Sequence, residues 1–370
     1  MELEEALYRR LADGQVHDQA GLAAALGCSA RELRSAAARL AALGLELARV
    51  PAGWRLAHRL EPLDGATLRG ALARPLAALE VCFAIDSTSL RLARTQGAPA
   101  TAPVPRASSR AAPGPSAQHS GLTGAARTAG SPGEPGAASA ATGSWQGRGG
   151  VPGDAPAACL AEAQTGGRGR RGRTWRSPLG AGIYLSLAAG VARPAGELGG
   201  LSLALGVGAA EALEPWAPGP VGLKWPNDLV LGGAKLGGIL VESVPHGEGC
   251  RVIAGIGVNL RLPGAERAAL GRPVAELGPP ALAARNRIAA ALIDAFGAAL
   301  ERFAGEGFAA FAARWAARDV ARGREVLVTG AGEALRGTAC GVDGEGALLV
   351  RSGAATQAVR AGEISLRLAP

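Results

Sequence analysis

The chain has 370 residues, 48% of them hydrophobic, which predicts several folded domains rather than a single core. Met1 is followed by Glu2, Glu4 and Glu5 instead of a basic run, and no stretch approaches the ~18 uninterrupted apolar residues of a membrane helix. These features argue against a secreted or membrane protein and predict a cytoplasmic one, while the net charge of +8 allows a polyanionic partner without saying which.

The five cysteines (Cys28, Cys82, Cys159, Cys250, Cys340) are odd in number, far apart and free of metal-ligand spacing. They read as reduced thiols with no assigned chemistry. Lysine is more informative. Of 39 basic residues only Lys224 and Lys235 are Lys, close together in one segment. Where Arg fills nearly every basic position, a retained Lys suggests a site that needs a compact point charge, although chance placement on a surface accounts for it too.

In chain order, Leu3, Ala6, Leu7 and Leu11 have helical spacing before Gly14, and Leu22 and Leu26 mark a second short helix that stops at Gly27. Ser29 with Glu32 three residues later forms a capping box for a third helix, whose buried stripe is Leu33, Leu40 and Leu43 and which Gly44 ends. The helix pair joined through Gly27 and Cys28 is a helix-turn-helix signal, and Leu45 to Val50, a Pro51-Ala52-Gly53 turn and Trp54 to Leu56 read as a small wing. Ser29, Arg31, Arg34 and Ser35 then lie where they can reach a DNA groove or its phosphates; the competing reading is a solvated face on a small helical unit.

The apolar run Leu79 to Ile85 reads as a strand, and Asp86-Ser87-Thr88-Ser89 follows it directly. Such short hydroxyl side chains can satisfy the polar edge of a small ligand, but taken alone they fit a helix cap better. From about 96 to 157 the composition shifts to Ala, Gly, Pro, Ser and Thr, too poor in large apolar groups to offset ordering entropy, which predicts a disordered insertion.

From Cys159 to about Val320, strand-like runs (Ile183 to Leu187, Leu229 to Leu231, Gly238 to Val241, Arg251 to Ile256) alternate with helical ones (Leu201 to Leu213, Leu282 to Phe303, Phe308 to Ala317), predicting a mixed α/β core. Beyond about Arg322 the runs are short and separated by Gly (Val326 to Thr329, Gly337 to Val342, Ala347 to Arg351, Gln357 to Arg360, Ile364 to Leu368), as in a small β-barrel.

Two segments concentrate the chemistry. Gly166 to Trp175, GGRGRRGRTW, formally contains G-x-G-x-x-G, but no helix follows and a dinucleotide fold is rejected. No acidic residue lies between Glu162 and Glu197, so Arg168, Arg170, Arg171, Arg173 and Arg176 on a glycine-rich backbone can wrap an anion. A disordered arginine-glycine tether for nucleic acid is the alternative, opposed by the apolar runs on both sides that tie the loop into a core. Lys224 to Glu242, KWPNDLVLGGAKLGGILVE, reads as strand, Gly232-Gly233 turn, strand. Lys235 on an apolar strand can hold a carboxylate and a phosphate oxygen together, and Asp228 can help hold Mg2+. Read as structure alone, the segment is an ordinary hairpin with a buried Trp225.

Taken in order, DSTS at Asp86, QTGGRGRRGRTW from Gln164, KWPND at Lys224, KLGGILVE at Lys235, GIGVNL at Gly255 and GEISLR at Gly362 closely resemble the bifunctional biotin protein ligases that are also biotin-operon repressors. The resemblance covers nearly the whole chain except the insertion, and it implies an α+β multidomain protein. Residues 1–62 would be a winged helix-turn-helix, 63–320 a central mixed α/β domain similar to class II aminoacyl-tRNA synthetases, and 321–370 an SH3-like β-barrel.

The resemblance also implies an activity. ATP and biotin would give biotinyl-5'-AMP, and biotin would pass to a lysine of the biotin carboxyl carrier protein of acetyl-CoA carboxylase. Lys235 and Arg170 would be catalytic; Ser87, Thr88, Ser89, Gln164, Arg168, Gly169, Arg170, Lys235 and Gly238 would help bind biotin. Arg168, Arg170, Arg171, Trp175, Asn227, Asp228, Asn259, Glu363 and Arg367 would bind ATP or the adenylate. Bound biotinyl-5'-AMP would act as corepressor and promote a homodimer on operator DNA. Two departures stand out: the family usually has Asn where this chain has Ser89, and the linker from Asp86 to Gln164 is much longer than usual. A lipoate-type ligase and a non-catalytic, biotin-sensing DNA-binding regulator are the competing readings.

Overall fold

The computed structural model describes residues 2–95, 156–329, 334–360 and 365–368. The expected insertion thus lies outside the described residues except for its last two positions, Pro156 and Ala157, and Ala157 already opens a strand.

The N-terminal unit has α1 (Glu2–Leu11), α2 (Gln19–Ala25) and α3 (Ala30–Ala42), followed by a hairpin of β1 (Leu47–Val50) and β2 (Gly53–Leu56). Its helices begin where the caps place them. Asp18 accepts from Gly21 N–H at the start of α2, and Ser29 and Glu32 exchange the reciprocal bonds of a capping box at α3. Leu7, Leu11, Leu33, Leu40 and Trp54 close the core of the unit, whereas Ser29, Arg31, Arg34 and Ser35 are all exposed on the outer side of α3.

After α4 (Gly65–Ala71) come β3 (Ala78–Ile85), α5 (Thr88–Thr95), β4 (Ala157–Gln164), β5 (Gly182–Val191) and α6 (Leu201–Leu213). Then follow β6 (Gly222–Lys224), β7 (Asp228–Leu231), β8 (Ala234–His246) and β9 (Gly249–Asn259). Among the described residues these strands form one seven-stranded sheet in the order β3-β4-β5-β9-β8-β7-β6. Only β3 and β4 are parallel. The Gly232-Gly233 turn closes the hairpin of β7 and β8 as expected, but β8 and β9 run well beyond the short strands predicted. Small helices α7 (Gly264–Ala269) and α8 (Pro279–Leu282), which periodicity did not indicate, precede α9 (Arg285–Glu306); α10 (Ala312–Ala316) follows. Helix α6 is apolar on nearly every side because it is sandwiched between the sheet and α9, which leaves it little solvent face.

The C-terminal strands β10 (Glu325–Thr329), β11 (Leu335–Val342), β12 (Leu348–Ser352), β13 (Ala355–Val359) and β14 (Ser365–Leu368) form a separate antiparallel sheet in the order β13-β12-β11-β10-β14. Glu363 falls outside the described residues, and Arg367 lies in β14 opposite Leu327.

The N-terminal unit is welded to the central sheet by a buried polar cluster. Arg285, fully buried, pairs with Glu162 of β4 at 2.6 Å, and the hydroxyl of Tyr8 in α1 donates to the same carboxylate at 2.9 Å. Arg285 also reaches the carbonyls of Glu61 and Gly182 through its terminal nitrogens, and Leu63 N–H donates to Glu162 at 2.6 Å; the buried Nε of Arg285 has no partner among the described residues. A buried charge pair is tolerable only when most of its remaining hydrogen-bonding capacity is met in this way.

Candidate active site

The two sequence segments and the hydroxyl cluster meet in one cavity of about 390 Å³ on the sheet. Its floor is a hydroxyl and amide network. The carbonyl of Ser87 accepts the first helical bond of α5, from Arg91, so the DSTS segment does start a helix. Its next two side chains nevertheless line the cavity. Thr88 Oγ1 and Ser89 Oγ lie 2.8 and 3.1 Å from Ser186 Oγ on β5. Gln164 accepts from Thr88 N–H at 2.9 Å through Oε1 and donates to Ser177 Oγ at 2.9 Å through Nε2. Hydroxyls bonded to one another on a buried strand present fixed donors and acceptors to a compact polar ring.

The arginine loop forms one wall. It is a narrow hairpin-like excursion closed by paired residues Gln164 with Ser177 and Arg168 with Thr174, and by Gly169 N–H donating to Arg173 O at 2.7 Å. Its tip turns through Arg171 (φ 61°) and Gly172 (φ 69°), a left-handed conformation that costs a non-glycine residue about 1–2 kcal/mol. Arg168 lines the cavity, yet its guanidinium is clasped to Glu242 of β8 at 2.8 and 3.1 Å, anchoring the loop base to the sheet. Burial raises the Glu242 carboxyl above its ordinary range, with Arg168 opposing. Burial, then the neighbouring charge of Arg171, lowers the pKa of the Arg170 guanidinium. A site that gathers this much positive charge is prepared for a polyanion.

The opposite wall is the lysine hairpin. Lys235 is ion-paired with Asp228 across β7 and β8, and its Nζ lies 5.5 Å from the ring centroid of Trp175, within cation–π range. Gly238 and Gly257 create this geometry by lacking side chains. A Cβ at Gly238 would stand 3.2 Å from Lys235 Nζ, and one at Gly257 would fall 2.3 Å from the Trp175 indole, which lies flush on β9. Asn227 is locked to β8 by donating to Ile239 O at 2.6 Å and accepting from Ile239 N–H at 2.9 Å. The Asp228 side chain is 21% exposed at the cavity edge. One carboxylate beside an arginine-rich wall is a donor set that could help hold Mg2+, an ion that takes its other ligands from phosphate and water.

A model of the biotin/lipoate A/B protein ligase family matches residues 152–259, and the biotin protein ligase C-terminal domain matches residues 322–367. The bifunctional ligase/repressor BirA of Escherichia coli is 38% identical over 214 residues, 57% of this chain and 67% of that protein. A biotin–acetyl-CoA-carboxylase ligase of Paracoccus denitrificans is 35% identical over 218 residues, 55% of this chain and 88% of its own length. The chain belongs to the biotin protein ligase family. Its fold is that of such ligases too: the biotin protein ligase of Aquifex aeolicus in complex with biotin and ATP superposes with a TM-score of 0.50 at 22% identity, over 79% of this chain and 100% of that one.

Within this biotin protein ligase, the cavity gathers Ser87, Thr88, Ser89, Gln164, Arg168, Gly169, Arg170, Arg171, Trp175, Asn227, Asp228, Lys235 and Gly238. Asn259 is not among the lining residues. It is buried behind Lys235, and its amide donates to Ala275 O at 3.2 Å and Lys235 O at 3.5 Å. Sequence reasoning passed over Ser186 and Arg272 among the polar lining side chains. Ser186 is the one small hydroxyl side chain in a mostly apolar run, and that was its one signal. Arg272 had none: it reaches the cavity because Val274 bridges to Lys235 and Ala275 N–H donates to Lys235 O at 2.8 Å.

Proposed function

We propose that this ligase joins biotin to a lysine of the biotin carboxyl carrier protein of acetyl-CoA carboxylase, in two steps at one cavity. The biotin carboxylate attacks the α-phosphorus of ATP; a P–O bond forms to the carboxylate, and the bond to the leaving pyrophosphate breaks. The ε-amine of the acceptor lysine then attacks the acyl carbon of biotinyl-5'-AMP, forms the amide, and releases AMP and a proton.

The observation that carries this reading is the meeting of a neutral hydroxyl floor, a lysine and an arginine wall around one space of about 390 Å³. Ser87, Thr88, Ser89 and Gln164 bind the ureido ring at the floor, where the shorter Ser89 is supported by Ser186. Lys235 bridges the carboxylate and an α-phosphate oxygen and stabilises the charge that builds as they join. Arg170 and Arg171 hold the phosphate and keep the labile mixed anhydride from water, while Trp175 and Asn227 flank the nucleotide. Asn259 acts as a positioning residue, through its bond to the Lys235 backbone. Mg2+ held by Asp228 and phosphate oxygens would neutralise phosphate charge.

Purified protein supplied with biotin, Mg-ATP and a carrier domain is expected to label the carrier, and the Lys235→Ala variant is expected not to. Pyrophosphate release driven by lipoic acid but not by biotin would overturn the choice of substrate. Ligand binding without any turnover would instead make the protein a regulator.

A second role rests on the exposed row Ser29, Arg31, Arg34 and Ser35 of α3 beside the β1–β2 hairpin. The N-terminal unit acts as a winged helix-turn-helix, and biotinyl-5'-AMP is the corepressor that promotes a dimer on operator DNA. An electrophoretic shift of the promoter of its own biotin genes, dependent on adenylate and lost in Arg31→Ala/Arg34→Ala, is the expected result; no shift by the wild type would remove this role.

A further inference from the structure

Two cysteines remote in sequence meet in the central sheet. In the parallel register of β3 and β4, Cys159 stands opposite Glu80, and Cys82 follows Glu80 by two positions, so the alternation of strand side chains puts all three on one face. The two sulfurs and a carboxylate oxygen of Glu80 all lie within 4.8 Å of one another. The floor beneath them is apolar, a small cluster of Leu92 and Ala93 from α5 with Ala157, Ala188 and Ile253. Cys159 is fully buried on that floor, while Cys82 and Glu80 are half-buried and open outward.

The donor types are specific. Two soft sulfurs with one carboxylate suit a thiophilic divalent ion, and three protein ligands leave a fourth tetrahedral position for solvent. The spacing also favours an ion over a disulfide. Diagonal neighbours on adjacent strands are usually about 7–8 Å apart at Cα, beyond the roughly 4.4–6.8 Å that a disulfide spans. An ion with metal–sulfur bonds of about 2.3 Å bridges the sulfurs without moving the strands.

Charge closes the argument. Two thiolates and a carboxylate around a divalent ion leave one negative charge, and Arg91 of α5 already pairs with Glu80 at 2.8 and 2.9 Å. A carboxylate has lone pairs enough to keep that arginine and accept an ion.

We propose that Glu80, Cys82 and Cys159 form a binding site for a divalent ion of the zinc class, separate from the ligand cavity and bracing β3 to β4 beneath α5. Binding releases the thiol protons, so affinity falls in acid. The test uses the full-length, reduced, metal-free protein titrated with Co2+. One equivalent is expected to bind with a thiolate-to-cobalt charge-transfer band in the near ultraviolet, and Zn2+ is expected to displace it. Cys82→Ser and Cys159→Ser abolish the band, and Glu80→Gln weakens binding at least about tenfold. Cys28→Ser, Cys250→Ser and Cys340→Ser leave it unchanged. Should the buried Cys159→Ser fail to fold, the half-buried Cys82→Ser with unchanged circular dichroism decides. No thiolate band in the wild type, or a band that survives in Cys82→Ser, overturns the proposal.

Discussion

The arginine loop and the lysine hairpin face each other across one cavity, yet they hold their charges in opposite ways. The loop is an excursion from the sheet that turns through a left-handed arginine and leaves Arg171 and Arg173 exposed. The hairpin is part of the core: Leu229 and Leu236 are fully buried, and Trp225 and Ile239 are 1% exposed. A charge that must meet one atom of a reacting pair belongs on a rigid strand, whereas charges that must close over a ligand and later release it belong on a loop of low local stability.

The contrast predicts activity losses from charges removed in either region, and stability losses from changes to the packing and clasps that hold them. The largest effect expected is from Lys235→Ala, which should lower adenylate formation by about a hundredfold or more in a pyrophosphate-release assay while leaving the melting temperature nearly unchanged. Arg170→Ala should lose about tenfold or more in carrier labelling and let adenylate escape into the medium, where chromatography detects it. Restriction of activity loss to Lys235 alone would break the comparison.

Stability effects follow in order. Gly257→Ala puts a methyl group 2.3 Å from the Trp175 indole, and chemical denaturation should show a loss of about 1–3 kcal/mol. The Arg168–Glu242 clasp, only 32% and 20% exposed, should give a coupling of about 1 kcal/mol in a double-mutant cycle. Because burial lifts the Glu242 carboxyl, the folded state binds more protons than the unfolded state just above the ordinary carboxylate range. Stability should therefore fall as pH rises through that window, and Glu242→Gln should flatten the slope. Gly172→Ala meets no neighbouring atom and should cost only the strain of its positive φ, about 1 kcal/mol.

Local elements were legible wherever local physics decides them. The capping box at Ser29 and Glu32, the Gly232-Gly233 turn and the five short C-terminal strands all stand where their residues indicate. Strand lengths were less legible: β8 and β9 extend to 13 and 11 residues because pairing with each other continues past the apolar runs that mark their centres.

By itself, the sequence determined which segments carry unusual chemistry. Lysines surviving in an arginine-rich chain, and arginines crowded between two acidic residues far apart, are departures of composition that need no coordinates to see. The tertiary structure alone decided which residues those segments would meet. Ser186 and Arg272 enter the cavity, and Cys82 reaches Cys159, through strand register and loop closure. Register depends on how both faces of a whole sheet are buried, a condition that no short stretch of chain contains.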